Sequence, residues 1–290
     1  RVLLKARIDS NFESRMDPLD NDHLSRSVTE LGEPESLFQI SKIRFLTKLT
    51  VGVLLILVGL VANYFWWFQG PAKFDHYLIA LLISLPITGA YLLWHMYRER
   101  GLSILIYATG LLRLRRGEID SFPWNEIEQV RVKVQRADGA QIVRDSEGSL
   151  VACWLPADVP TFRIWKGGMH VVRADGAEAH FSAVLSDFTQ LAQEVQRRTF
   201  EIRWPQVWER FLSGMPVVFG DLELSLRGIH HVGKQIRWSD VKELTILQGI
   251  FRIKQKGKWY PSVLLDIFAV PNPHILFALA TEAQRIVVKS

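Results

Sequence analysis

Two unbroken apolar runs, Leu49–Phe68 and Tyr77–Tyr97, dominate the first third of the chain and are joined by a short polar turn, Gln69–His76. At about 1.5 Å of rise per residue, either run as a helix is roughly 30 Å long, the thickness of a bilayer's hydrocarbon core. They predict a two-helix transmembrane hairpin over residues 41–98, with spans at 49–68 and 77–97. No Asp, Glu, Lys or Arg lies inside either run. Tyr64, Trp66 and Trp67 close the first and Tyr91, Trp94 and Tyr97 the second, where amphipathic rings favour the interface. Pro86, with Ser84 and Gly89 nearby, predicts a kink, and Gly52, Gly59 and Gly89 permit close helix packing. Asn63 and His95 fall near the interfaces, so the spans offer no charged path for an ion or a proton.

Orientation follows from the basic residues beside the spans. Lys42, Arg44 and Lys48 precede the first and Arg98 and Arg100 follow the second, whereas the turn carries only Lys73. Both termini are therefore expected in the cytoplasm, with the protein in the inner (cytoplasmic) membrane. The first run begins at Leu49, too far along for a cleavable signal peptide. Residues 1–40 mix charges with turn formers and read as a flexible tail, in which Met16 is a possible start. Leu37, Ile40, Ile43 and Leu46, spaced by three, suggest a short amphipathic lead-in lying on the membrane surface.

From Leu102 onward the rhythm becomes that of short strands. SILIYATGLLRLRR predicts a hairpin about Ala108–Gly110, a turn follows at Gly117, and Val130, Val132 and Val134 alternate with Arg131, Lys133 and Gln135 in the two-residue period of a half-buried strand. Asp138-Gly139 marks a turn, and residues 136–165 show few clear strands. MHVVRA, the turn Asp175-Gly176 and AEAHFSA predict a second hairpin. SDFTQLAQEVQRRTF predicts a closing helix, with Ser186 or Asp187 as N-cap, Phe188, Leu191, Ala192 and Val195 on one face, and Arg197 and Arg198 in the last turn.

The same layout then recurs. GDLELSLRGIHHVGKQIRWSDVKELTI predicts hairpin, glycine turn and third strand, FRIKQKGKWYPSVLLDIF a further hairpin, and NPHILFALATEAQRIVV a helix capped by Asn272 with Pro273 in its first turn. Aligning FPWNEIEQV (122–130) with IRWSDVKEL (236–244) places Trp124 on Trp238, Glu126 on Asp240, Ile127 on Val241 and Val130 on Leu244, an internal duplication at an offset of 114. A strand hairpin ending in a glycine turn, then Trp-x-[Asp/Glu]-[Ile/Val]-x-x-[Val/Leu], further strands and a helix resembles bacterial membrane-anchored pleckstrin-homology-like domain proteins, over about 102–199 and 216–288. That resemblance implies an α+β chain in which the hairpin is followed by two tandem modules, 99–203 and 204–290, each a bent antiparallel sheet with a C-terminal helix. It implies a binding or scaffolding role and supplies no catalytic residues.

Composition narrows the chemistry. A net charge of +5 is modest and partly sits beside the spans, which fits an anionic leaflet better than nucleic acid. Cys153 is the only cysteine, so an intrachain disulfide is impossible, and its apolar neighbours predict a small buried hydrophobe. His230, His231 and His274 lack a third ligand at a diagnostic spacing, and Asp145 and Glu147 sit in a polar loop; neither a metal nor a cofactor is expected. No nucleophile elbow or phosphate-cradling loop is visible. Trp124 and Trp238, recurring at equivalent places, predict sheet-to-helix packing rather than ligand platforms. The candidate contacts for an anionic surface or partner are Arg252, Lys254 and Lys256 on one strand face, and Arg113, Arg115 and Arg116. These readings converge on a non-enzymatic membrane-anchored adaptor that binds the lipid bilayer's inner surface or a protein partner. The alternative is an accessory subunit of a larger membrane complex.

Overall fold

Alternating apolar residues in short strands and continuous apolar stretches in long helices sort this chain into an α+β structure with several antiparallel sheets. The computed structural model describes residues 34–69, 76–99, 101–115, 118–138, 141–144, 150–153, 163–182, 185–247 and 249–289. The chain divides into two compact units, residues up to 108 with 112–121, and residues 109–111 with 122–290.

In the first unit β1 (Pro34–Gln39) leads directly into α1 (Lys42–Gln69) and α2 (His76–Glu99), and the chain returns as β2 (Ser103–Tyr107), β3 (Gly110–Arg115) and β4 (Glu118–Pro123). The four strands form one sheet in sequence order. β1 pairs antiparallel with β2, Leu37 opposite Leu105 and Gln39 opposite Ser103. The helical hairpin is thus an insertion between two adjacent strands. Leu105, Tyr107, Leu112 and Leu114 form the core under that sheet, with Leu37 and Ile119 packed against it. This corrects two expectations. Residues 34–39 are strand rather than tail, because Phe38 finds a buried position and Leu37 a partly buried one beside β2. The lead-in spaced by three is divided between that strand and the start of α1, where Ile43 and Leu46 stand exposed. The remainder of the expected tail lies outside the described residues.

α1 and α2 pack antiparallel, with Gly52 against Leu93, Ile56 against Gly89 and Gly59 against Pro86. The contact is close enough to require glycine. A Cβ on Gly59 would fall 2.5 Å from Pro86 Cδ, and one on Gly89 would fall 2.6 Å from the Gly52 carbonyl oxygen. α2 continues through Pro86, whose ring fills the notch that Gly59 leaves. The outer faces are apolar and exposed, among them Leu54, Leu57, Leu60, Ile83, Ile87 and Trp94. Among the described residues one helix, Phe45–Tyr64 of α1, is long and apolar enough by composition to cross a bilayer, and only 11% of that stretch is buried.

The second unit contains β5 (Ile127–Asp138), β6 (Gln141–Arg144), β7 (Leu150–Cys153), β8 (Arg163–Arg173), β9 (Glu178–Ser182) and α3 (Phe188–Leu212). It continues through β10 (Val217–Phe219), β11 (Leu222–Ser225), β12 (Gly228–His231) and β13 (Lys234–Ile236). After β14 (Val241–Leu247), β15 (Ile250–Gln255) and β16 (Val263–Asp266), it closes with α4 (Pro273–Lys289). β5, β8 and β9 form a three-stranded sheet, and β10 to β13 a four-stranded meander. β16, β15 and β14 are extended by β6 and β7, joined through Thr245 opposite Gln141. Apart from the helical hairpin after β1 and the β6–β7 pair, which joins the β14–β16 sheet, each half of the chain runs through four strands, three strands and a helix.

The duplication is visible in backbone detail. Glu126 N–H donates to Pro123 O at 3.0 Å, and Asp240 N–H donates to Arg237 O at 3.0 Å, 114 residues later in both partners. The turns so formed bury Trp124 and Trp238. A Cβ on Gly110 would meet Phe122 O at 2.7 Å and one on Gly228 would meet Ile236 O at 2.1 Å, so glycine is required at both places. α3 and α4 each start from a residue at φ 51°, Asp187 and Asn272, whose carbonyl accepts from the N–H groups three and four residues on.

α3 does not end near Phe200 as expected but runs to Leu212, across the expected boundary at 203/204 and through Pro205. Proline removes one helical hydrogen bond. The aromatic rings spaced along this half compensate. Phe200 stacks on Trp204 (5.1 Å), Trp204 on Trp208 (5.4 Å) and Trp208 on Phe211 (5.9 Å). Phe188, Leu191, Ala192 and Val195 are buried on the predicted face. Arg203 donates to Ile127 O from Nε (3.1 Å) and Nη2 (2.8 Å), tying the helix to β5.

Candidate functional site

The rim of the second repeat is built by two turns. The first joins β12 to β13 through Val232 and Gly233, both at positive φ (43° and 73°), the arrangement of a two-residue hairpin turn. Asn or Gly would occupy the Val232 position without strain, whereas a β-branched residue there costs about 1–3 kcal/mol. Its side chain is nonetheless 73% exposed. The second turn, Lys256–Ser262, links β15 to β16. Lys256 N–H donates to Asp240 O at 2.8 Å, Ser262 N–H to Ile253 O at 2.7 Å and Ser262 Oγ to Gln255 Oε1 at 2.7 Å, which holds both ends of the loop. Between these anchors Trp259 and Tyr260 are 84% and 76% exposed.

β13, which follows the first turn, and the second turn border one open groove of about 580 Å³, with Lys234 on one side and Lys258, Trp259 and Tyr260 on the other. Lys256 is exposed beside it. Cationic heads and amphipathic rings at one rim can meet an anionic surface twice over, through charge and through partial burial of the rings.

The residues singled out from sequence are distributed differently. In β15, Phe251 and Ile253 face the core while Arg252 and Lys254 lie on the opposite face. Arg252 sits mid-strand between Thr245 and Leu264, half-buried, and its buried Nε has no hydrogen-bond partner among the described residues. Lys254 stands directly opposite Glu243, so an acidic residue shares its part of the face. Lys256 alone of the three reaches the rim. Arg113 donates to Asp120 Oδ2 from Nε (2.9 Å) and Nη2 (2.6 Å), a pair that consumes its charge within the first unit. Arg115 is half-buried at the end of β3, and Arg116 lies outside the described residues. Lys258, Trp259, Tyr260 and Val232 were not singled out by sequence. The available signal was a Gly-Lys-Trp-Tyr-Pro turn between two strands, which places consecutive aromatics where a sheet core cannot reach both.

The histidines also part company. His230 and His231 are on β12, whereas His274 is fully buried at the start of α4, its Nε2 3.2 Å from Thr199 Oγ1. Burial lowers its pKa to about 3, so the ring is neutral. A second group was overlooked. His170, Glu178 and His180 on β8 and β9 converge, their ligating atoms all within 4.8 Å of one another.

Residues 161–287 match a family model described as a family of unknown function, DUF6585. The match covers less than half of the chain, yet it includes both the rim and the histidine group and runs unbroken through α3. No curated protein and no solved structure matches the chain.

Proposed function

We propose that the protein is a non-enzymatic, membrane-anchored adaptor whose second repeat docks on the anionic cytoplasmic leaflet. α1 and α2 are read as the two spans. α2 carries no charged residue between His76 and Tyr97, the large side chains exposed among its described residues include Ile83, Ile87 and Trp94, and its close fit to α1 suits a hairpin crossing as a pair. The basic flanks favour both tails in the cytoplasm and thus the inner membrane. The doubled order of four strands, three strands and a helix, with its repeated tryptophan turn, supports tandem pleckstrin-homology-like modules, the first interrupted by the hairpin after β1.

The single observation that carries the docking is the rim: Trp259 and Tyr260 exposed between Lys256, Lys258 and Lys234. Each lysine near an anionic leaflet contributes about 1 kcal/mol. Inserting an aromatic ring contributes on the order of a few kcal/mol more. A chain already held in the bilayer loses little further freedom on docking, so contributions of this size suffice. The alternative is an accessory subunit of a larger complex, for which the exposed apolar faces of α1 and α2 are the support, since Gly52, Gly59 and Gly89 already pack within the hairpin.

The test uses the full chain in nanodiscs of neutral or anionic lipid. Tryptic cleavage after Lys256 and Lys258 should be suppressed by anionic lipid, and suppression should disappear in Trp259→Ser/Tyr260→Ser. Equal cleavage in both lipids would overturn the docking.

A further inference from the structure

We propose that His170, Glu178 and His180 form a binding site for one divalent transition-metal ion of the zinc type, independent of the membrane-docking rim. The hairpin that carries them is held in register by its turn. Arg173 N–H donates to Ala177 O at 2.8 Å and Gly176 N–H to Arg173 O at 2.9 Å, with Gly176 at φ 86°. The Asp175 carboxylate accepts from Ala177 N–H (3.0 Å) and Arg173 Nε (2.8 Å), and pairs with Arg173 Nη2 as well. This register sets His170 directly opposite His180, with Glu178 two residues before His180 on the same face of β9. Directly opposed side chains in an antiparallel pair are the closest neighbours a sheet offers.

An imidazole binds a metal through the lone pair in its ring plane, so the exposed His180 ring must turn out of its stack on His170 to aim a nitrogen at an ion beside His170 Nε2 and Glu178. The two imidazole rings face each other at 4.0 Å, within 4° of parallel, and His170 Nε2 lies 3.1 Å from Glu178 Oε2. Two ligands each about 2.1 Å from one ion and 3.1 Å apart subtend an angle of about 95° there, acceptable for a nitrogen and an oxygen on the same metal. Ligands of one ion are at most about 4.2 Å apart, so ligating atoms within 4.8 Å of one another are already near that spacing, and a turn of the His180 ring with a small closing movement completes the set. His180 and Glu178 are exposed and can make these movements, while His170 is only 7% exposed and gives the site a fixed member. Phe268 lies against the His170 ring, its centroid 6.4 Å away. On the other flank Arg131 stands opposite His170, with its guanidinium turned onto Gln129 Oε1 (2.8 Å from Nη2), and Lys133 stands exposed opposite Gly168. Two imidazoles and one carboxylate suit zinc and its neighbours in the transition series rather than calcium or magnesium, which take oxygen ligands. Three protein ligands leave a position for water or a partner's side chain.

The test is equilibrium dialysis of the untagged, chelator-stripped full chain in detergent against Zn²⁺, with elemental analysis. Cobalt absorption in the visible region serves as a second reading. One ion per chain is expected, with affinity reduced at least tenfold in Glu178→Gln and His180→Ala, both exposed positions whose replacement leaves the fold intact. A His230→Ala/His231→Ala variant should bind as the wild type does. The absence of stoichiometric binding would overturn the proposal, as would binding that survives Glu178→Gln and His180→Ala.

Discussion

Asn272 Oδ1 accepts from Val130 N–H at 2.8 Å, joining the residue that starts α4 to the first strand of the other repeat's three-stranded sheet, 142 positions earlier. The same side chain donates from Nδ2 to Glu128 O at 2.8 Å, and Asn272 N–H donates to Val130 O at 2.8 Å. One asparagine thus pairs with β5 almost as a strand residue would, while its backbone, at φ 51°, begins the helix. Asn272→Ala removes two of these bonds and leaves an alanine in a left-handed conformation. The expected cost is roughly 1–3 kcal/mol, read by urea denaturation. Asn272→Asp should fare almost as badly, because an acceptor would then face Glu128 O.

The neutral, buried His274 makes stability pH-dependent with a defined sign. Its folded-state pKa is about 3 against an ordinary 6.5. The unfolded chain therefore takes up a proton as the pH falls through 6.5, while the folded chain does not until near 3. The stabilisation is fully present above about 6.5 and is lost progressively below it. Between pH 6.5 and 5, above most carboxylate titration, the denaturation midpoint should fall in the wild type and stay flatter in His274→Gln.

The glycine seam between α1 and α2 has no room for a side chain. Gly89→Leu should lower the melting temperature in detergent, in keeping with an overpacking cost of roughly 1–3 kcal/mol. Leu57→Phe, on the exposed face, should leave it unchanged.

Val232 offers a case in which stability and binding should move in opposite directions. Val232→Gly relieves the left-handed strain and should raise stability by about 1 kcal/mol. The same change removes an exposed apolar tip, and protection of the rim by anionic nanodiscs should weaken.

Much of this architecture is legible from residue patterns, and what is not has identifiable causes. The apolar runs and the Trp-x-[Asp/Glu] duplication are local signals, and α1, α2, Trp124 and Trp238 follow them. Residues 136–165 show little pattern because β6 is a strand by virtue of a tertiary pairing, Thr245 opposite Gln141, on a sheet of the other repeat. Asn272 was readable as a helix start, but not as a link to β5. The apolar pattern of α3 ends near Phe200, whereas the helix runs on through Pro205 with the rings from Phe200 to Phe211 stacked along it. The facing pair His170 and His180 was within reach, since counting outward from Asp175-Gly176 brings them opposite each other. Arg252 and Lys254 illustrate the converse, in that alternation identified their face without revealing that Arg252 is half-buried and that Glu243 stands opposite Lys254.

Docking of the rim on the cytoplasmic leaflet requires a hairpin that holds the β-rich part at that face. Protease added to sealed right-side-out membrane vesicles, with inverted vesicles in parallel, tests this directly. Residues 100–290 should survive intact in the first and be digested in the second. Digestion of that region from the outside of right-side-out vesicles would contradict both the orientation and the docking built on it.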